Sequence, residues 1–127
     1  MSFLNKKVYD YGLKTITNKA NALVICSEKP LSYNEALNDY FLGDFGISSS
    51  TPIEISDPEY VSGNEGRKVI INTIPNGQIS KSGIAKHWAL INTEFNMLIA
   101  TEKLNNEIEV EQGNSFLLSS FEIGFLE

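Results

Sequence analysis

Positive charge is scarce in this chain: 10 Lys and Arg stand against 16 Asp and Glu, and no basic cluster exceeds the pair Lys6-Lys7. Binding along a nucleic-acid backbone needs concentrated positive charge to displace counterions, so that class is set aside. Cysteine is scarcer still. Cys26 is the sole one, which excludes an internal disulfide, and its aliphatic setting in ALVICS marks a small buried hydrophobe rather than a nucleophile. Apolar runs fall far short of the ~20 residues that span a bilayer. The opening MSFLNKKVYD has no apolar core of the secretory kind, so synthesis and folding in a cytosol are expected. Patterns of the GxSxG, HExxH, Walker A, GxGxxG and paired-cysteine types are missing, and with a single histidine every Ser-His arrangement would have to use His87. No enzyme activity, cofactor or metal is expected.

What the chain does have is a near-average share of apolar residues in 127 positions, enough for one domain with a core that needs no metal or disulfide. Residues 83–104, GIAKHWALINTEFNMLIATEKL, read as two strands joined at Asn92-Thr93-Glu94. Ile84, Lys86, Trp88 and Leu90 alternate with Ala85, His87, Ala89 and Ile91, so both faces are apolar, as in a strand inside a sandwich or barrel. Alternation also separates the His87 and Trp88 rings, and a lone imidazole between Ala85 and Ala89 reads as a hydrogen-bonded packing residue.

Before this hairpin, residues 3–17 place Leu4, Val8, Tyr11 and Thr15 at helical offsets, and 21–27 form a strand. Ser32-Tyr33-Asn34-Glu35 is a capping-box pattern that predicts about two helical turns, stopping at Gly43. Residues 42–66 read as a long irregular loop in which Ile53-Glu54-Ile55 alone looks like a strand; such a loop either binds something or is a solvated, variable one. Residues 67–74 predict a strand, Pro75-Asn76-Gly77 a turn. Beyond the hairpin, Asn105-Asn106 predict a turn, 107–111 a half-exposed strand and 115–126 a final strand. Glu107, Glu109 and Glu111 share a face about 7 Å apart by strand rise, too far to share one cation, and fit a solvated face that blocks edge-to-edge pairing. Asp57, Glu59 and Glu65 lack the spacing of a calcium loop. The sum is a mainly β chain, an antiparallel sandwich or barrel of jelly-roll type with six or seven strands and short helices in the N-terminal third.

The stretches VICSEKPLSYNEAL (24–37), GRKVIINTI (66–74), SGIAKHWALI (82–91) and GNSFLLSSFEIGF (113–125) resemble, in order, a group of short virion structural proteins of tailed bacteriophages. The N-terminal helix and residues 42–66 lie outside the resemblance. It implies no catalytic residue. It implies a capsid decoration, or cement, protein on the head surface, binding the major capsid protein lattice and itself, commonly as a homotrimer, with no nucleic-acid or membrane partner. On that reading Leu4, Val8, Tyr11, Phe45, Ile47, Ile53, Ile55 and Tyr60 are the candidate partner contacts, and removal of residues 1–17 should leave a folded domain. A tail or head–tail joining component and a carbohydrate-binding β module are the alternatives.

Overall fold

Five consecutive apolar residues, Ala22–Cys26, form strand β1, and all five are buried, as a strand covered on both faces requires. The computed structural model describes residues 6–47, 53–60 and 67–125. Helix α1 (Lys6–Lys19) precedes β1; after it come a π-helical turn (Glu35–Asp39) and strands β2 (Phe41–Phe45), β3 (Glu59–Tyr60), β4 (Arg67–Ile71) and β5 (Ile74–Ile79). Strands β6 (Gly83–Asn92), β7 (Met97–Val110), β8 (Ser115–Leu118) and β9 (Phe121–Phe125) complete the fold. Six strands make one curled antiparallel sheet, a half-barrel, in the order β7-β6-β1-β2-β5-β8; β3-β4-β9 make a second, small one. The mainly β architecture with its helix in the N-terminal third is the one the residue pattern predicts.

The main core joins the two sheets and the helix. Leu23, Ile25, Trp88, Leu90, Ile74 and Ile79 of the large sheet meet Val69 and Ile71 of the small one and Leu13 and Ile16 of α1. Each such side chain contributes roughly 1.5–3 kcal/mol by leaving water. Trp88 and Phe121 tie the sheets together, their ring centroids 4.6 Å apart and tilted by 40°. On the other face of β1 and β6 a second cluster of Ala22, Val24, Cys26, Ala89 and Ile91 is closed by Ala36 of the π-helical turn, with Tyr33, Leu37, Tyr40 and Phe41 around it.

The hairpin between β6 and β7 is held by one buried side chain. Asn92 donates from Nδ2 to the Lys19 carbonyl at 2.6 Å, capping the end of α1, and its Oδ1 accepts from the Phe95 backbone N–H at 2.8 Å, shaping the turn. Asn96 closes that turn at φ 52°, a left-handed conformation asparagine tolerates. Asn21 adds bonds to both the backbone and the hydroxyl of Thr93.

Several local expectations are corrected. The described part of α1 buries Leu13 and Ile16, while Thr15, placed at a helical offset from Tyr11 by the sequence pattern, is exposed. Because the helix contributes core side chains, removing residues 1–17 would open the core rather than leave a folded domain. The capping box forms in modified shape: Ser32 Oγ accepts from the Glu35 N–H at 3.1 Å, but Glu35 reaches the N–H of Leu31 instead of Ser32. One π-helical turn follows rather than two α turns, and the chain re-enters the sheet as β2, with Gly43 in mid-strand. Cross-strand space decides this, since a Cβ at Gly43 would lie 2.4 Å from the Gln78 carbonyl oxygen.

Within the stretch read as a loop, β3 pairs with β4, and Ile55 bridges Ile71. Ser56 exchanges bonds with Ile70, its N–H donating to the Ile70 carbonyl and its Oγ accepting from the Ile70 N–H. Pro75-Asn76-Gly77 lies inside β5, and the chain crosses between sheets at Asn72-Thr73. Gly77 is needed there because the Phe116 ring of β8 packs onto its Cα, 2.0 Å from where a Cβ would sit. Asn105-Asn106 lie within β7, where an irregularity sets Ala85 opposite Ile108 but His87 opposite Lys103. The final stretch is two strands in different sheets, parted at Ser119-Ser120.

Candidate functional site

Thiol and imidazole meet across β1 and β6, where Cys26 pairs with His87. The geometry does not activate the sulfur. Cys26 is fully buried, its S–H donates to the Ala36 carbonyl at 3.8 Å, and burial pushes the thiol up to about 12, whereas a nucleophile needs the thiolate. His87 is half-buried, and its Nδ1 is enclosed with no hydrogen-bond partner, a correction to the expectation of a hydrogen-bonded imidazole. Trp88 points into the main core instead, as alternation predicts. Among the described residues no three His, Cys, Asp or Glu side chains gather as metal ligands, and no helix is long and apolar enough to cross a membrane.

The most exposed chemistry lies where the half-barrel fails to close. β7 and β8 are the two edges of the large sheet, and among the described residues neither pairs with anything on its outer side. Between them runs a seam made of two adjoining grooves. One, of about 520 Å³, is lined by Ile108, Val110 and Glu111 of the β7 side and by Asn114, Phe116 and Leu117 of the β8 side. The other, of about 390 Å³, continues past Ile108 to Trp88, Leu104 and Glu102 on one wall and Leu118 and Phe121 on the other.

The end of β7 gives the seam its character. Cross-strand pairing puts Ile108 on the face of Ala85 and Glu109 on the face of Ile84, so Ile108 and buried Val110 look inward while Glu107, Glu109 and Glu111 look out. Ile108 is nonetheless 46% exposed, because no strand covers it; Leu117, on the face of β8 opposite core-packed Phe116 and Leu118, is 61% exposed. Glu122, which lines the second groove with Glu102, is ion-paired with Lys68, whose ammonium is held above its usual range chiefly by that hydrogen bond.

No family model, curated protein or solved structure matches this chain.

Of the partner contacts expected from sequence, Leu4 lies outside the described residues. Val8 and Tyr11 fall on α1 and Tyr60 on β3. Phe45 is corrected: it ends β2 with 6% exposure, packed in the main core and not offered to a partner. Ile53 and Ile55 are half-buried against the same core, and Ile47 is 45% exposed beside a turn braced by Asp44, whose carboxylate accepts from the Ile47 N–H at 3.0 Å. Ile108 was missed because alternation within 107–111 assigns it to a covered face, and nothing local reveals that the cover is incomplete. A usable signal was charge: residues 104–127 contain five carboxylates and no Lys or Arg.

Proposed function

We propose that this protein is a non-catalytic structural module of a tailed-phage virion, a decoration protein that binds the major capsid protein lattice on the head surface and associates with its own copies. One observation carries the binding part of this reading: Ile108, on the inner face of β7, and Leu117, on the outer face of β8, both stand open to solvent along a seam between two strand edges that have no outer partner among the described residues. Contiguous apolar surface of that kind is a feature of protein contact sites. The buried, protonated thiol and the enclosed imidazole give the reading of a catalyst no support. The virion and the head lattice come from the sequence resemblance, and a homotrimer over a threefold position is the self-association it implies.

Imaging purified virions at side-chain resolution tests this directly. Density for the chain repeated over the head lattice is the expected result. A single ring at the neck or tail would instead make it a joining component, and absence from the particle would overturn the virion reading. In a second measurement, adding the purified chain to undecorated shells should raise their thermal disruption temperature; unchanged shells would count against a cement role.

A further inference from the structure

We propose that the seam takes an added strand: an extended segment of the partner protein with Lys or Arg at every second position and apolar residues between, pairing with the free edge of β7. This rests on the reading of the chain as a protein-binding module and names the chemistry of what it binds.

Three features converge on that occupant. The backbone of β7 from Leu104 to Val110 offers an edge with no partner among the described residues, and β8 forms the opposite wall. Strand addition to such an edge uses main-chain hydrogen bonds for affinity and side-chain alternation for specificity. Next, the β7 end presents Ile108 and Val110 to the inside and Glu107, Glu109 and Glu111 to the outside. A strand laid alongside meets the same two-residue period, so its inward residues must be apolar to cover Ile108 and its outward ones are matched by positive charge. Finally, those three glutamates and Glu102 form no ion pair among the described residues. The last 24 residues supply five of the chain's 16 carboxylates and none of its cations.

A second copy is the wrong occupant for the same reason. Antiparallel pairing of β7 with its own image about Glu109 sets Glu109 against Glu109 and Glu107 against Glu111, and like charges directly opposite are destabilising. A guard of one sign excludes the chain's own edges and leaves the edge open to a segment of the other sign.

The test uses the full chain and a soluble peptide of alternating Lys and Val or Thr. A peptide of equal composition with its lysines in one block and an alternating Glu peptide serve as comparisons. Trp88, the single tryptophan, lines the seam and reports occupancy by its emission. The alternating Lys peptide should bind and shift β7 backbone amide resonances, and the Glu peptide should not. The double substitution Glu107→Lys with Glu109→Lys should weaken binding about tenfold or more. Ile108→Asp should do the same. All three positions are exposed, and thermal unfolding of each variant checks that the fold persists. No binding of the alternating Lys peptide by about 1 mM, equal binding of the block peptide, or an unchanged affinity in the variants would overturn the inference. Self-association lost on Ile108→Asp would overturn it too, by making a second copy the occupant.

Shell binding separates this inference from the reading beneath it. If the charge-reversed chain still coats shells as the native one does, strand addition at the seam is wrong and decoration stands. If the native chain binds the peptide but coats no shell, decoration is wrong and the strand site stands.

Discussion

Replacing Gly43 by Ala should be the most damaging one-carbon change available in the sheet. The added Cβ would lie 2.4 Å from the Gln78 carbonyl oxygen and 3.2 Å from both the Gln78 carbonyl carbon and the Ile79 Cα, all of them backbone of the neighbouring strand. No side chain can swing aside to make room. The β2–β5 junction rests on the pairs Gly43–Ile79 and Asp44–Gln78, with the Ser80 and Lys81 N–H groups both donating to the Leu42 carbonyl. β5 cannot retreat freely, because Phe116 of β8 packs on Gly77 from its other side. Overpacking costs about 1–3 kcal/mol, and each weakened ladder bond about 1 kcal/mol. The stiffer unfolded chain returns about 0.4–1 kcal/mol, leaving a net loss of about 2–4 kcal/mol. For a domain of this size that is a fall in melting temperature of roughly 10 °C.

Gly113→Ala is the matched comparison. Its φ is +91° but nothing lies within 4 Å of the new Cβ, so the cost is backbone strain alone, about 1 kcal/mol. Thermal unfolding followed by circular dichroism, with amide exchange read at β5, measures both. A Gly43→Ala protein melting within about 2 °C of the parent, or above Gly113→Ala, would refute the argument that interstrand space, not backbone conformation, demands glycine at 43.

Asn92→Ala leaves the Lys19 carbonyl and the Phe95 N–H without their partners and should cost about 2–4 kcal/mol by denaturant unfolding; a loss under 1 kcal/mol would mean water replaces the amide. The Cys26 thiol, raised from 9.0 to about 12 by burial, keeps its proton in the folded state after the unfolded chain has lost it. Its contribution is therefore intact below pH 9 and falls by roughly 1.4 kcal/mol per pH unit above that, so the parent should lose stability from pH 9 to 10.5 faster than Cys26→Ala. Parallel pH curves would contradict this. His87→Leu removes an enclosed nitrogen that has no partner, so stability should hold or rise by about 1 kcal/mol; a loss above about 2 kcal/mol would show that the imidazole makes a bond that matters.

The β class and the central hairpin were legible in the chain because two-residue alternation and turn chemistry act over a few neighbouring residues. Residues 21–27 read as a strand, and Asn92-Thr93-Glu94 as a turn, from those local patterns alone. Charge and cysteine scarcity likewise bounded the chemistry without reference to any fold. The misread places share a different cause. Gly43 and Gly77 look like stop and turn signals locally, yet each is glycine because another strand, β5 in one case and the Phe116 ring in the other, comes too close for a Cβ. Asn105-Asn106 looks like a turn, yet the chain only bulges there, between the pairs His87–Lys103 and Ala85–Ile108, and β7 continues along β6. The open seam is the extreme case. Period alone assigns Ile108 to a covered face, and whether that face is covered depends on whether β7 and β8, consecutive in sequence but at opposite edges of a six-stranded sheet, close on one another, a matter of curvature that no local pattern records.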